Sequence, residues 1–134
     1  MNIKTSQYLV EEAKKEITTL QAKEAKDLYQ KGEITFIDIR DIRELWKEGT
    51  VKNSIHIPRG MLEFWLDPES SYYKEKKIGE IKKIVLFCAL GLRSALATKS
   101  LVDMGFKNVV HVEGGFDALK KIDIEIVIKL SFKI

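Results

Sequence analysis

Apolar and polar positions follow two alternating patterns along the chain. Four short runs rich in β-branched and apolar residues predict buried strands, at 34–39, 54–58, 83–88 and 108–115. Between them, apolar residues recur at helical spacing, which predicts helices or helical turns over 6–16, 40–49, 59–66, 93–105 and 116–122. Another helix is predicted to be capped by Thr18 or Thr19 and to end at Gly32. Strands that alternate with helices predict an α/β domain with a mainly parallel central sheet.

The last thirteen residues show a different pattern. Every second residue from Ile122 to Ile134 is apolar, and the intervening positions are polar apart from Val127. This period of two predicts a β-like tail. Because an exposed apolar strand tends to pair with other strands, we expect the tail to add to a sheet edge of its own domain or of a second copy. The second arrangement would produce a homodimer.

Length and composition fit a single cytoplasmic domain. A chain of 134 residues can bury one core, and its net charge of +3 is too small and too scattered to favour nucleic acid. No run of about 18 apolar residues predicts a membrane span. The charged N-terminus lacks the apolar core of a signal peptide. The single cysteine excludes an internal disulfide and suits a reducing compartment.

That cysteine, Cys88, lies where the predicted strand 83–88 gives way to a short loop and then a helix. In α/β sheets, ligands bind beyond the carboxyl ends of the strands. Unpaired amides at a helix start attract negative charge, and Gly91 permits the tight curl that would aim them inward. The same field favours a thiolate over a thiol. The alternative is a buried, inert cysteine, which is the commoner fate of a lone one.

At this point the sequence resembles a known family, the single-domain rhodaneses, which are sulfurtransferases. The resemblance rests on four segments and their order: "FIDIR" (36–40) with Glu44, "IHIPRG" (55–60), "CALGLRS" (88–94) and "LVDMGFKNVVHVEGG" (101–115). It covers residues 18–121, which leaves 1–17 as an N-terminal helical extension and 122–134 as the alternating tail. It implies a rhodanese-like three-layer fold, in which helices flank a mainly parallel central sheet.

The resemblance also implies a two-step sulfur relay. The Cys88 thiolate takes a sulfane sulfur from a small donor such as thiosulfate or a persulfide. A thiol, cyanide or a sulfur-accepting protein then removes it. The backbone amides that would bind the charged sulfur belong to Ala89, Leu90, Gly91, Leu92, Arg93 and Ser94. No metal and no organic cofactor is needed, and no membrane or nucleic-acid partner is expected.

Charged residues at the neighbouring strand end are expected to support the loop. We expect Asp38 and Arg40 to form an internal ion pair and Glu44 to be a partner of Arg40. Arg93 can either face the pocket, where it would bind an anionic donor, or turn outward to a carboxylate. Structural, hydrogen-bonded roles are expected for the two histidines, His56 and His111.

One departure from the family pattern and three rival functions accompany this interpretation. Ala89, Leu90 and Leu92 are apolar where many thiosulfate-using relatives are basic, which favours a persulfide or protein-bound donor over thiosulfate. Phe64 and Trp65 can extend such an apolar rim or pack in the core. A phosphatase of the related fold would need five residues between its cysteine and arginine, and here there are four. An arsenate reductase would need a resolving cysteine. A non-enzymatic sulfur carrier or docking module acting with a partner is the third rival.

Overall fold

Seven short strands organise the described part of the chain. The computed structural model describes residues 2–73 and 83–128. The strands are β1 (Thr19–Leu20), β2 (Thr35–Asp38), β3 (Thr50–Val51), β4 (Ile55–His56), β5 (Ile84–Phe87), β6 (Val109–Val112) and β7 (Ile126–Val127). Five form one sheet in the order β1-β6-β5-β2-β4, in which every neighbouring pair is parallel. In this register, residue 38 lies opposite 87, and residue 111 lies between 19 and 86.

Helices connect and cover the strands. They are α1 (Ser6–Lys14), α2 (Ala22–Gln30), α3 (Ile42–Glu48), α4 (Leu62–Leu66, after a 3₁₀ turn at Arg59–Met61), α5 (Leu92–Met104) and α6 (Gly115–Lys121). Each predicted helix or helical turn therefore has a counterpart, with boundaries that differ by a few residues. Within the described ranges, no helix is long and apolar enough to cross a membrane.

The sheet separates two apolar clusters. Alternate residues of a strand point to opposite faces. Ile84 and Leu86 of β5 therefore join one cluster with residues of α4 and α5, while Val85 and Phe87 join another with α2 and α6. Burial on both faces explains why β5 is continuously apolar. The predicted α/β class, with helices flanking a parallel sheet, is confirmed.

The edge strand β1 corrects one prediction. Thr18 or Thr19 was expected to cap the second helix, and this expectation is wrong. Thr19 instead pairs with His111 and Leu20 with Val112, so these two residues extend the sheet. The N-cap of this helix is Gln21, and its backbone amide donates to the side chain of Glu24. A β-branched threonine fits a strand position as well as a cap, and pairing with β6 decides between the two.

The tail is less extended than its alternating pattern predicts. Ile122 ends α6, Asp123 has a positive φ of 59°, and Ile124 is buried against the core. Only β7 continues as a strand in the described part of the tail, and it pairs antiparallel with β3 of the same chain. Residues 129–134 lie outside the described residues. The homodimer expected from this tail stays a prediction.

Candidate active site

Cys88 lies at the carboxyl end of β5, at the centre of the sheet. The strand delivers it to the loop 88–91, and α5 begins directly after that loop. Gly91 is the N-cap of α5 and has a φ of 94°, a left-handed conformation that glycine adopts without strain. The chain therefore turns back sharply and brings the first turn of the helix over the cysteine.

Two backbone amides point at the sulfur. The amide of Gly91 donates to Cys88 Sγ at 3.1 Å, and the amide of Ser94 donates at 3.3 Å. The Ser94 hydroxyl oxygen lies 3.5 Å from the same sulfur, as the acceptor of the thiol hydrogen. Amides at a helix start carry positive partial charge, so this arrangement favours a sulfur with negative charge.

The thiol is nevertheless buried. Cys88 is only 1% exposed and contacts one of the two apolar clusters, as an inert cysteine would. A cysteine that only fills space in a core does not need hydrogen-bond donors around its sulfur, however, and here two backbone amides donate to it. The amides therefore distinguish this site from simple packing, and burial strengthens their electrostatic effect because solvent screens it less.

The start of α6 fixes the outer side of the loop. The amide of Phe116 donates to the Cys88 carbonyl at 2.8 Å, and the amide of Asp117 donates to the Ala89 carbonyl at 3.2 Å. This close approach requires Gly115, because a Cβ there would lie 2.4 Å from the Cys88 carbonyl oxygen. Because these two loop carbonyls accept from α6 on the outer side, the loop amides can face the sulfur on the inner side.

Arg93 turns away from the sulfur to a carboxylate. It donates from Nη1 and Nη2 to the two carboxylate oxygens of Glu44, at 2.9 and 3.0 Å. This pair holds the pKa of Glu44 below its ordinary value and raises the pKa of Arg93. The expectation that Glu44 is the partner of Arg40 is therefore wrong, because Glu44 pairs with Arg93 instead. Glu44 also accepts from the Asp41 amide at the start of α3, and it faces the loop from there.

Asp38 and Arg40 form the expected internal ion pair beneath the site. Both side chains are fully buried, and Arg40 Nη2 donates to Asp38 Oδ2 at 2.8 Å. Asp38 also accepts from the Thr50 hydroxyl, and Arg40 donates to the Gly49 carbonyl, so α3 and β3 are tied to the end of β2. His56 lies 2.7 Å from the Arg40 carbonyl through Nε2, consistent with its expected structural role.

The rim of the site is apolar. Leu90, in the loop, is 62% exposed, and Leu92, the first residue of α5, is 47% exposed. Of the two aromatic residues proposed for this rim, Phe64 is exposed and Trp65 is buried in the core. Trp65 therefore serves packing, and the exposed leucines give the loop its apolar surface.

His111 has a contact that sequence reasoning missed. Its Nδ1 lies 3.0 Å from the Ser94 hydroxyl, which in turn contacts Cys88 Sγ. Its Nε2 lies 2.9 Å from the Thr19 hydroxyl. Burial lowers the pKa of His111 to about 4, so the ring is neutral near pH 7. The available signal was one polar residue inside an apolar strand, where β6 runs beside the strand that ends in Cys88.

Curated proteins with similar sequences point to one domain family. The chain matches the Rhodanese-like domain family over residues 21–122. It is 31% identical to the thiosulfate sulfurtransferase GlpE of Coxiella burnetii, over 72% of this chain and 81% of that protein. It is 36% identical to a tRNA uridine(34) hydroxylase of Hamiltonella defensa, over 72% of this chain. The aligned region spans only 26% of that hydroxylase's length.

Solved structures agree with this assignment. A Rhodopseudomonas palustris protein, described as of unknown function and as a "Possible Tyrosine Phosphatase", is 42% identical, with a TM-score of 0.88. The match covers 95% of this chain and 97% of that one. The polysulfide-sulfur transferase homodimer of Wolinella succinogenes is 36% identical with a TM-score of 0.68, and the match covers 88% and 83% of the two chains. The chain belongs to the Rhodanese-like domain family.

Proposed function

We propose that this protein is a sulfurtransferase that carries a sulfane sulfur as a persulfide on Cys88. The observation that supports the proposal is the convergence of the Gly91 and Ser94 amides on the sulfur of the only cysteine in the chain. These donors stabilise a negative sulfur in the resting thiolate and in the anionic persulfide. Relatives named as sulfurtransferases support the same reaction class.

The proposed reaction has two steps with one covalent intermediate. In the first, the Cys88 thiolate attacks the outer sulfur of the donor, a new S–S bond forms and the old one breaks. The leaving group departs with the electron pair, as sulfite from thiosulfate or as a thiolate from a persulfide. In the second, a thiol or cyanide attacks the outer sulfur of the persulfide, and the Cys88 thiolate is released. Because Cys88 is 1% exposed, the first step includes exposure of the sulfur to the donor.

A persulfide is the donor that the rim favours. Leu90 and Leu92 present apolar surface around the sulfur, which suits a carbon-bearing or protein-bound donor better than a dianion. The nearby cation, Arg93 in the first turn of α5, forms an ion pair with Glu44 and is not free to bind an anionic donor. The similarity to a protein named polysulfide-sulfur transferase points the same way, while the similarity to GlpE keeps thiosulfate as the competing donor.

Mass spectrometry of the intact protein tests the relay. The protein is incubated with thiosulfate, with a low-molecular-weight persulfide or with neither, and Cys88→Ser is treated in parallel. We expect the wild type to gain one sulfur atom that cyanide then removes as thiocyanate, and Cys88→Ser to gain none. If no donor adds sulfur to Cys88, the proposal fails. If the persulfide forms but neither cyanide nor small thiols produce turnover, the chain is a sulfur carrier that acts with a partner protein.

Glu44→Gln tests the choice of donor. Glutamine keeps an acceptor for the Asp41 amide, but it removes the charge that holds Arg93. We expect the KM for dianionic thiosulfate to fall several-fold, because Arg93 becomes available to an anion, while the KM for a singly charged low-molecular-weight persulfide falls less. Equal changes for both donors would show that the Arg93–Glu44 pair does not govern donor choice. Since both side chains are partly exposed, we expect the free energy of unfolding to change by less than about 1 kcal/mol.

A phosphatase is the second candidate, because a protein with 42% identity is described as a possible tyrosine phosphatase. The loop argues against it. Only four residues separate Cys88 from Arg93, and Arg93 is bound to Glu44 rather than turned over the sulfur. Hydrolysis of an aryl phosphate decides between the two. If the wild type hydrolyses the aryl phosphate and Cys88→Ser does not, the protein is a phosphatase and the sulfurtransferase proposal fails.

A further inference from the structure

A line of hydrogen-bonding groups runs from the sulfur to the edge of the sheet. Cys88 Sγ lies 3.5 Å from Ser94 Oγ, which lies 3.0 Å from His111 Nδ1, and His111 Nε2 lies 2.9 Å from Thr19 Oγ1. Ser94 and His111 are fully buried, and Thr19 is partly exposed on the edge strand β1. The line therefore connects a buried sulfur to the protein surface through two hydroxyls and one imidazole.

The proton count fixes the direction of this line. Each hydroxyl has one hydrogen to donate, and a neutral imidazole has one N–H and one acceptor nitrogen. His111 is neutral because burial lowers its pKa to about 4; Glu113 raises the pKa by a smaller amount, and Lys14 lowers it slightly further. Those two charged groups pair with each other at 3.4 Å. If each of the four groups donates to the next one in the series, all hydrogens point toward the sulfur or all point away.

We propose that His111 is a positioning residue whose tautomer sets the direction of the Ser94 hydrogen bond and reverses when Cys88 ionises. With a thiol, Cys88 donates to Ser94, Ser94 donates to Nδ1, and Nε2–H donates to Thr19. With a thiolate, Thr19 donates to Nε2, Nδ1–H donates to Ser94, and Ser94 donates to the sulfur. The anionic sulfur then has three donors, the Gly91 amide, the Ser94 amide and the Ser94 hydroxyl.

The reversal balances as a proton relay. The S–H proton passes to Ser94 Oγ as the earlier Ser94 proton passes to His111 Nδ1. The Nε2 proton passes to Thr19 Oγ1 as the earlier Thr19 proton leaves to water. Each O–H or N–H bond that breaks is matched by one that forms, and one proton leaves the protein. The persulfide role of this arrangement rests on the proposed function, whereas the reversal itself requires only that Cys88 ionises.

Nitrogen NMR of the histidines tests the reversal without any sulfur donor. The chain has only two histidines, so the imidazole ¹⁵N signals of labelled protein form two pairs, one Nδ1 and one Nε2 for each ring. His56 is an internal reference, because its Nε2 faces the Arg40 carbonyl, which can only accept. The pH is raised while thiolate absorbance reports the ionisation of Cys88. We expect the His111 proton to move from Nε2 to Nδ1 in step with the thiolate. A His111 tautomer that is the same in both states overturns the proposal.

Ser94→Ala supplies the matched control for this measurement. It removes the hydroxyl link and leaves the Ser94 backbone amide in place. We expect the His111 tautomer to stop following the thiolate in this variant. A tautomer that still follows the sulfur without the Ser94 hydroxyl would mean that another effect carries the coupling, and it would also overturn the proposal.

Alkylation of Cys88 by iodoacetamide measures the consequence for the sulfur, and the single cysteine makes the reading unambiguous. We expect His111→Leu to slow alkylation at neutral pH by about tenfold, since the Ser94 hydroxyl loses the group that directs its hydrogen bond to the charged sulfur. His111→Asn should recover much of the rate, because its amide nitrogen replaces Nδ1 as donor. Val110→Ala, on the same strand but in the other cluster, controls for destabilisation of β6. If His111→Leu and Val110→Ala alkylate equally fast, the positioning role is refuted, whatever the outcome of the sulfur-transfer assays.

Discussion

The burial of His111 leads to a prediction about acid stability. His111 is fully buried, and burial lowers its pKa from the ordinary 6.5 to about 4. His111 therefore binds a proton less readily in the folded protein than in the unfolded chain. Because the unfolded state binds more protons between these two values, stability falls as the pH drops from about 6.5 toward about 4. Above pH 6.5 both states hold neutral histidine, and the contribution is constant.

The size of this effect follows from the two pKa values. A tenfold change in proton affinity corresponds to about 1.4 kcal/mol, so the gap between 6.5 and about 4 is equivalent to about 3 kcal/mol once both values are passed. At pH 5 the unfolded histidine is almost fully protonated while the folded one is mostly neutral. About 2 kcal/mol of stability is therefore already lost there. Carboxylates also titrate in this range, so the wild type alone does not isolate the contribution.

His111→Asn isolates it, because asparagine keeps a polar side chain and does not titrate. Urea unfolding of both proteins, followed by circular dichroism, gives the free energy of unfolding at pH 7.5 and pH 5. We expect the wild type to lose about 2 kcal/mol more than the variant over this interval. Other groups titrate in both proteins and cancel in the difference. A difference that stays constant within about 0.5 kcal/mol would refute the buried, neutral state of His111.

Two further substitutions separate buried from exposed versions of the same interaction. Asp38→Asn should lower the free energy of unfolding by about 3–5 kcal/mol, because it leaves Arg40 charged and fully buried without its carboxylate. Asp41→Asn removes a carboxylate from an exposed pair and should lower the free energy of unfolding far less in the same denaturation assay, because solvent screens that pair. Gly115→Ala should cost more than about 2 kcal/mol and slow alkylation of Cys88, since its Cβ would collide with the loop carbonyl. Gly32→Ala, also at positive φ but in open space, should cost only about 1–2 kcal/mol; equal losses for the two glycines would contradict this account of the loop.

Local sequence patterns predicted most of the helices and strands. The run 83–88 predicted a strand buried on both faces because it is continuously apolar, and β5 has this position at the centre of the sheet. The edge strand β1 was missed because two residues carry no periodicity, and only pairing with β6 makes them a strand. The tail was predicted as one extended element, yet Asp123 turns the chain and Ile124 packs inward. Pairing and packing between distant segments decided both cases.

The loop around Cys88 was predictable for the same reason, since the strand, the glycine and the helix start are neighbours in sequence. The side-chain contacts between distant segments were not. Glu44 and Arg93 are 49 residues apart, and Ser94 and His111 are 17 apart, so only the sheet order brings each pair together. Sequence spacing placed Glu44 near Arg40, but the carboxylate that pairs with Arg40, through Nε and Nη2, belongs to Asp38, two residues away. Chemistry that is built within one loop can be read from the sequence, whereas chemistry shared between strands needs the register.

Burial and reactivity of Cys88 are compatible because different parts of the chain supply them. The apolar cluster on one face of the sheet excludes water from the sulfur, and the first turn of α5 supplies the amides that replace it. Neither contribution would suffice alone. An apolar pocket would favour the neutral thiol, and exposed amides would be screened by solvent. The start of α6 holds the two together, since its amides bind the loop carbonyls and so determine which way the loop amides face. A substitution in α6 that leaves the sequence of residues 88–94 unchanged should therefore alter the sulfur's reactivity, as expected for Gly115→Ala.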